Sequence, residues 1–514
     1  MNTIIEKDEI LQKIIKNFDN EIYLVGGSVR DAFMGIETHD RDLIVADCDA
    51  REFSLKVAEL FDGTFIPLDE ENRIYRIVLP DKINYLDITN PIEGSLEKDL
   101  MRRDLTINAI AVNLRTAEIV DLSGGIEDIK KGCINYVQEE NFKDDPLRIL
   151  RAYRFQAIYG FEISPKTLDA IKKYSDLVLN PAVERINYEL LKLFGGKYAH
   201  IALENMDKAG ILEKFFPFVN ELKKVPPNSH HHLDLFHHSL ETVREIEEIE
   251  SGKLKVKSGK FLTKLLQKPS NSPFIGEEVV ALPSPMGKVS EGRKGDNFQF
   301  STFNFQLPVQ SHLHSTDFGG APRLAHLKLA GFMHDIGKFS TWTIEEGGRH
   351  RFIKHDDVGA KMSVKFLKNL HFSNKQIDYI SSMIKNHIYP SSVMSAPEIS
   401  DKIMMRYVRK MENNSIDCII LAMADRLSAR GPEITDEMVE NNINSLCKLL
   451  NFYLSVKDTL KPLPKLLDGN DVMKILNIKP SPKLGEIMSA LHEAQISGDV
   501  MTKEQAVEFV KSLV

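Results

Sequence analysis

Only four cysteines occur in 514 residues, Cys48, Cys133, Cys418 and Cys447, far apart and never as CxxC. That spacing suggests neither a disulfide framework nor a thiolate zinc site, and fits a reducing cytoplasm. No apolar run approaches the roughly 20 residues that cross a bilayer, so no membrane partner is expected. The N-terminal MNTIIEKDEILQKIIKNFDN has acidic residues and helical spacing in place of a basic head and an apolar block, so no export signal is read. Positive charge is not in excess either: 66 Lys and Arg against 74 Asp and Glu leave a net charge of −8. Any RNA contact must therefore use local Arg and Lys patches rather than the field of the whole molecule. What remains is a soluble globular composition, 42% hydrophobic and 27% charged. At roughly 150 residues per domain, the length suggests three or four modules.

The periodicity of the chain changes along its length, and the expected fold class is α+β. Residues 21 to 122 alternate short apolar runs (IYLVGG, RDLIVAD, RIYRIVL, INYLDIT, INAIAVNL) with turn and helix signals, so an α/β head with a mixed sheet is expected over 1–140. Helical spacing then takes over in DPLRILRAYRFQAI and PAVERINYELLKLF, giving an all-α neck over 141–225. The region 226–440 reads as all-α and holds 13 of the 16 histidines, between His230 and His387, a density that asks for a metal. Within it, about 251–320 is rich in Gly, Ser, Pro and Lys without periodicity and reads as an insertion. Residues 441–514 read as a small helical module with no visible chemistry.

Three carboxylates carry the chemistry of the head. Asp40 and Asp42 in HDRDLIVAD are two apart at the start of a strand, so they project to one face, where two like charges repel unless a cation lies between them. Asp87, in the strand-like INYLDIT, supplies a third. Mg²⁺ prefers such oxygen ligands, and three carboxylates commonly hold two ions for in-line phosphoryl displacement. Just upstream, YLVGGSVRDAFMG runs a strand into Gly26 and Gly27, where backbone can approach phosphates, with Arg30 as a nearby cation.

GGSVRD, DRDLIV, DLMRRDLTINAIA and DDPLRILRAYRF, in this order, resemble the class II CCA-adding tRNA nucleotidyltransferase and bacterial poly(A) polymerase family. The resemblance is strong over residues 20 to about 220 and weaker in the C-terminal GNDVMKILNIKP. It implies that Gly26 and Gly27 hold a triphosphate, that Asp40 and Asp42 bind Mg²⁺, and that Arg102, Arg103, Asp104 and Asn108 contact ribose and phosphate. Asp87 is added by position. The implied partners are tRNA, CTP and ATP, with no obligate protein partner evident. A poly(A) polymerase, or an enzyme adding only CC or only A, fits the same motifs.

Asp145 and Arg148, three apart, are expected as neighbours at the start of a helix. A carboxylate accepts from the exocyclic amino groups of cytosine and adenine and opposes the carbonyls of uracil and guanine, while a guanidinium donates to the ring nitrogen. One such couple selects CTP and ATP without a nucleic-acid template. The family motif Glu-Asp-x-x-Arg is here Asp144-Asp145-x-x-Arg148. Arg151 and Arg154 extend the same side, and the resemblance places Glu184 and Arg185 near this pocket.

In the histidine-rich region, the order His238, His334-Asp335, Asp425 resembles the HD phosphohydrolase superfamily, which implies those four as ligands of Mg²⁺ or a divalent transition metal. His355 and His387 are candidates for a second ion, and His237 competes with His238. His230, His231 and His232 read as a solvated run. A different class also fits: an HD nucleotide phosphohydrolase with an inactive head.

Overall fold

The computed structural model describes residues 2–252, 255–256, 260–261, 306–318, 320–460 and 463–513, which fall into two compact units divided between Pro217 and Phe218. The expected insertion at about 251–320 lies mostly outside the described residues; at its end, Gln306–Leu313 is helical.

The first unit opens on a seven-stranded sheet of order β3-β4-β5-β2-β1-β6-β7. Its strands are β1 (Ile22–Val25), β2 (Asp40–Val45), β3 (Thr64–Asp69), β4 (Ile74–Val78), β5 (Tyr85–Thr89), β6 (Ile110–Asn113) and β7 (Ile119–Asp121). All neighbours are antiparallel except β2 and β5. A parallel pair needs a crossover, and here the chain between them folds into helix Ala50–Phe61 and the β3-β4 hairpin. That helix is capped by the Asp49 carboxylate and stopped by Asp62 in the left-handed region. Val25, Ile44, Leu100 and Ala111 form one buried cluster of the sheet.

A helical segment follows, built on Leu147–Tyr159, Pro165–Lys173, Val183–Gly195 and Ala199–Lys208. Helix Leu147–Tyr159 ends on Gly160 at φ +72. A Cβ at Gly196 would lie 2.5 Å from the Ala157 carbonyl, so glycine there sets how closely the chain after Val183–Gly195 approaches this helix.

The second unit is mostly helical. Leu235–Glu250, Arg323–Met333, His355–Asn369, Asn374–Asn386 and Ser415–Ser428 form its centre. The expectation of an all-α domain needs one correction. Trp342–Ile344 and His350–Phe352 pair as an antiparallel hairpin between the HD pair and His355. The alternation in TWTI and HRFI, flanking EEGGR, suits a hairpin better than a helix. Three C-terminal helices, Gly469–Leu476, Pro482–Ser497 and Lys503–Ser512, gather around Val472, Leu491, Ala506 and Val510.

Candidate functional site

Strand register assembles the first site. On β2 and β5, Asp42 pairs with Asp87 and Asp40 with Tyr85. Because residues two apart share a face, one oxygen from each of Asp40, Asp42 and Asp87 comes within 4.8 Å of the others. Arg41, between the two aspartates, is buried and binds Asp8 Oδ2 at 2.7 Å and Asn84 Oδ1 at 3.0 Å. Burial, and then the Asp40 charge, push the Asp42 carboxyl up to about 7. Asp40 is raised by burial and by Asp87, and its Oδ1 is buried without a hydrogen-bond partner. Three crowded oxygens, one orphaned, are a donor set for hard divalent cations.

Asp42 and Asp87 lie on the wall of a cavity of about 1270 Å³ that Arg102, Arg103, Asp145 and Arg185 also line. Gly26 sits at φ +71, ψ −131, a conformation that favours glycine. A Cβ there would stand 2.7 Å from Arg103 Nη1 and 3.3 Å from Asp42 Oδ2. Gly27 begins helix Gly27–Phe33. Arg102 and Arg103 are both held by Asp99, a fully buried carboxylate missed in the sequence, at 2.6 Å and 3.0 Å. Its i−3 and i−4 spacing from the two arginines was the available signal.

Other expected nucleotide contacts face elsewhere. Asp104 and Asn108 are buried: Asn108 donates to Asp104 Oδ1 at 3.0 Å, and Arg151 Nε donates to Asp104 Oδ2 at 2.7 Å. Although burial opposes its charge, Arg151 holds the Asp104 carboxyl far below the usual range. Arg30 is buried between Asn108 and Asp31, over the rings of Phe155 and Tyr159. Arg154 is buried against Glu189 at 3.1 Å. Arg30 and Asp104 tie the head to helix Leu147–Tyr159, and Arg154 ties that helix to Val183–Gly195; they do not line the cavity, because buried charges must pair with each other.

The side chains of Asp145 and Arg148 take separate hydrogen-bond partners. Asp145 precedes Pro146, which disfavours helical backbone, and it adopts φ −137, ψ 93 between two helices. Its Oδ2 accepts from Arg185 Nη2 at 2.8 Å. Arg148 Nη1 donates instead to the Asn141 carbonyl at 3.1 Å.

The second unit holds a denser cluster. His238, His334, Asp335 and Asp425 each offer an atom within 4.8 Å of the rest, and Asp335, His355 and His387 form a second set. The Nε2 atoms of His238 and His334 face each other at 3.2 Å. Asp335 Oδ2 lies 3.4 Å from His238 and 3.1 Å from His334, and Oδ1 lies 3.3 Å from His355 and 3.6 Å from His387. The Nδ1 atoms of His334, His355 and His387 face the carbonyls of Gly331, Phe352 and Ile384 at 2.8, 2.8 and 2.6 Å, which orients each Nε2 inward. Both Asp335 oxygens and His355 Nε2 are buried without a hydrogen-bond partner, although the Lys338 ammonium stands 2.6 Å from Oδ2. Burial resists charge here, yet Asp335 and Asp425 hold His334 up to about 10. Burial and His334 push His387 down to about 4. Each set would suit a divalent cation, and Asp335 belongs to both.

His237, the competitor for the first ligand position, sets its ring Nδ1 2.7 Å from Oδ2 of Asp234, the N-cap of its helix, and is half exposed. The run of three histidines is corrected at His231. Its ring packs on that of His238 with centroids 4.4 Å apart, and its Nε2 is 3.4 Å from Lys338 Nζ.

Sheet, cavity and carboxylates together define a nucleotidyltransferase head, joined in one chain to an HD-type metal centre. Known proteins agree. Family models match as the poly A polymerase head domain (residues 71–135), the probable RNA and SrmB-binding site of polymerase A (160–223) and the HD domain (314–430). The A-adding tRNA nucleotidyltransferase of Deinococcus radiodurans is 27% identical over 95% of this chain and 94% of its own. The CC-adding tRNA nucleotidyltransferase of Thermus thermophilus is 27% identical over 95% and 93%. A Thermotoga maritima CCA-adding enzyme solved with tRNA has the same fold, with a TM-score of 0.52 at 19% identity over 100% of this chain and 98% of that one. The chain belongs to the family of class II tRNA nucleotidyltransferases and bacterial poly(A) polymerases, with an HD domain. Among the described residues, no helix is long and apolar enough to cross a membrane.

Proposed function

We propose that this enzyme completes tRNA 3′ ends, adding C, C and A from CTP and ATP, and that its HD domain is a metal phosphohydrolase. The observation that carries the first part is the Asp40, Asp42 and Asp87 cluster, two of whose members, Asp42 and Asp87, lie on the wall of a large cavity. Asp40, Asp42 and Asp87 would hold two Mg²⁺ ions, whose charge would favour ionisation of the RNA 3′-hydroxyl and stabilise the bridging oxygen that leaves the α-phosphorus with pyrophosphate. Arg102 and Arg103, aimed by Asp99, neutralise the triphosphate, and pyrophosphate leaves. The peptide at Gly26, with no side chain to obstruct it, lets the phosphates approach Asp42. Asp145 accepts from the exocyclic amine of C or A, with Arg185 as the guanidinium on the same wall. Arg148 braces the turn that carries Asp145. The likeness to tRNA-acting relatives supports tRNA as substrate.

The experiment is incubation of purified protein with tRNAs ending before CCA or at CC, and with oligo(A), using labelled CTP or ATP. Addition of C, C and A supports the proposal. Long A tails support a poly(A) polymerase, and CC or A alone supports a partial adder. Asp42→Ala abolishes transfer and spares phosphatase activity, and His334→Ala does the reverse. Unchanged incorporation by Asp42→Ala overturns the metal assignment. A head inactive in the wild type favours a nucleotide phosphohydrolase, a reading that the intact carboxylate cluster opposes.

A further inference from the structure

Arg76 stands directly behind the carboxylate cluster. In the register of β4, β5 and β2, Arg76 pairs with Asp87 and Asp87 with Asp42, so the three residues form one row across the sheet. The Arg76 guanidinium grips both oxygens of Asp87, Nε to Oδ1 at 2.7 Å and Nη2 to Oδ2 at 2.6 Å. It is itself braced 4.2 Å above the Tyr85 ring. A two-point grip fixes the plane of a carboxylate as well as its position, whereas Asp40 has an oxygen with no partner at all. Asp87 lines the cavity.

We propose that Arg76 is a positioning residue of the transfer centre: its fork sets the orientation in which Asp87 offers its remaining lone pairs to a divalent cation shared with Asp40 and Asp42. The inference rests on the metal role proposed for Asp87. Groups that orient a metal ligand are typically worth 10–100-fold in metal affinity or activity. Lysine keeps the charge but is a point donor and cannot reproduce the fork.

The test titrates Mn²⁺, followed by electron paramagnetic resonance, into full-length protein whose HD centre has been silenced by Asp335→Ala, with CTP present. Arg76→Gln, Arg76→Lys and Asp87→Asn are compared with that parent, alongside kcat and KM for CTP incorporation into tRNA. The expected result is a Mn²⁺ Kd raised roughly 10–100-fold by Arg76→Gln, less by Arg76→Lys, with kcat falling more than KM rises. If Asp87→Asn weakens Mn²⁺ binding and Arg76→Gln does not, the inference is overturned and the role of Asp87 stands. If neither does, the metal role of Asp87 falls and the inference with it. Should Arg76→Gln fail to fold, Arg76→Lys decides: a Mn²⁺ curve identical to the parent's overturns the inference.

Discussion

Gly337, two residues after Asp335, offers a sharp test of the HD centre. Its backbone is ordinary, φ −73 and ψ −17, so left-handed strain does not demand glycine there. Space does: a Cβ would stand 2.0 Å from the His355 carbonyl oxygen and 2.7 Å from the Gly359 nitrogen. Both are backbone atoms at the start of helix His355–Asn369 and cannot swing aside. Restoring normal contact in Gly337→Ala requires the two segments to part by about 1 Å, the kind of overpacking that costs about 1–3 kcal/mol. His355 begins that helix, and its Nε2 is 3.3 Å from Asp335 Oδ1. Ligation tolerates about 0.2 Å, so the shift removes His355 from the second set and leaves His238, His334, Asp335 and Asp425 in place. The assay is metal content after loading with Mn²⁺ and dialysis, with thermal melting and tRNA extension alongside. Gly337→Ala is expected to hold one equivalent fewer in the HD centre, to melt earlier and to extend tRNA normally. A variant with unaltered metal content and melting temperature would refute the reasoning.

Two further outcomes follow from buried charge. Arg151 neutralises Asp104 and lies 3.6 Å from Glu189, both nearly fully buried. Arg151→Ala is therefore expected to destabilise the first unit by about 3 kcal/mol, read by urea unfolding, because an uncompensated carboxylate remains inside; a loss below about 1 kcal/mol would contradict this. His326 is fully buried between the Pro322 carbonyl and Gln376, and burial pushes it down to about 4. The unfolded chain then binds the proton that the folded chain refuses, so stability is complete above about pH 6.5 and falls as pH drops toward 4. Between pH 7 and pH 5 this one group accounts for about 2 kcal/mol. His326→Gln should flatten the pH dependence of the urea midpoint by that amount, and a curve parallel to the wild type's would exclude His326 as the cause.

Much of the head was legible because strand periodicity is strict. A spacing of two places Asp40 and Asp42 on one face, whatever the sheet around them, and the mixed sheet was expected. The helical segment was less legible, since arginines on an amphipathic helix look alike from sequence whether they face a ligand or a buried acid. Arg154 and Asp104 went inward because Glu189 and Arg151 wait there, a pairing set by tertiary structure. The turn at Asp145 was available from Pro146 and was overridden by helical spacing. His231 gave no local signal. It is placed by the chain around Gly431, whose amide donates to the His230 carbonyl at 2.8 Å.

The two oxygens of Asp335 face different sets of imidazoles. A cation settled on one oxygen draws electron density from its twin, so two ions at this centre are rivals for a single donor. Were both sets occupied, the one with four protein donors would fill before the one with three. The more weakly held ion would then be the first to leave when metal is scarce, and the occupancy of the centre would follow the supply around it.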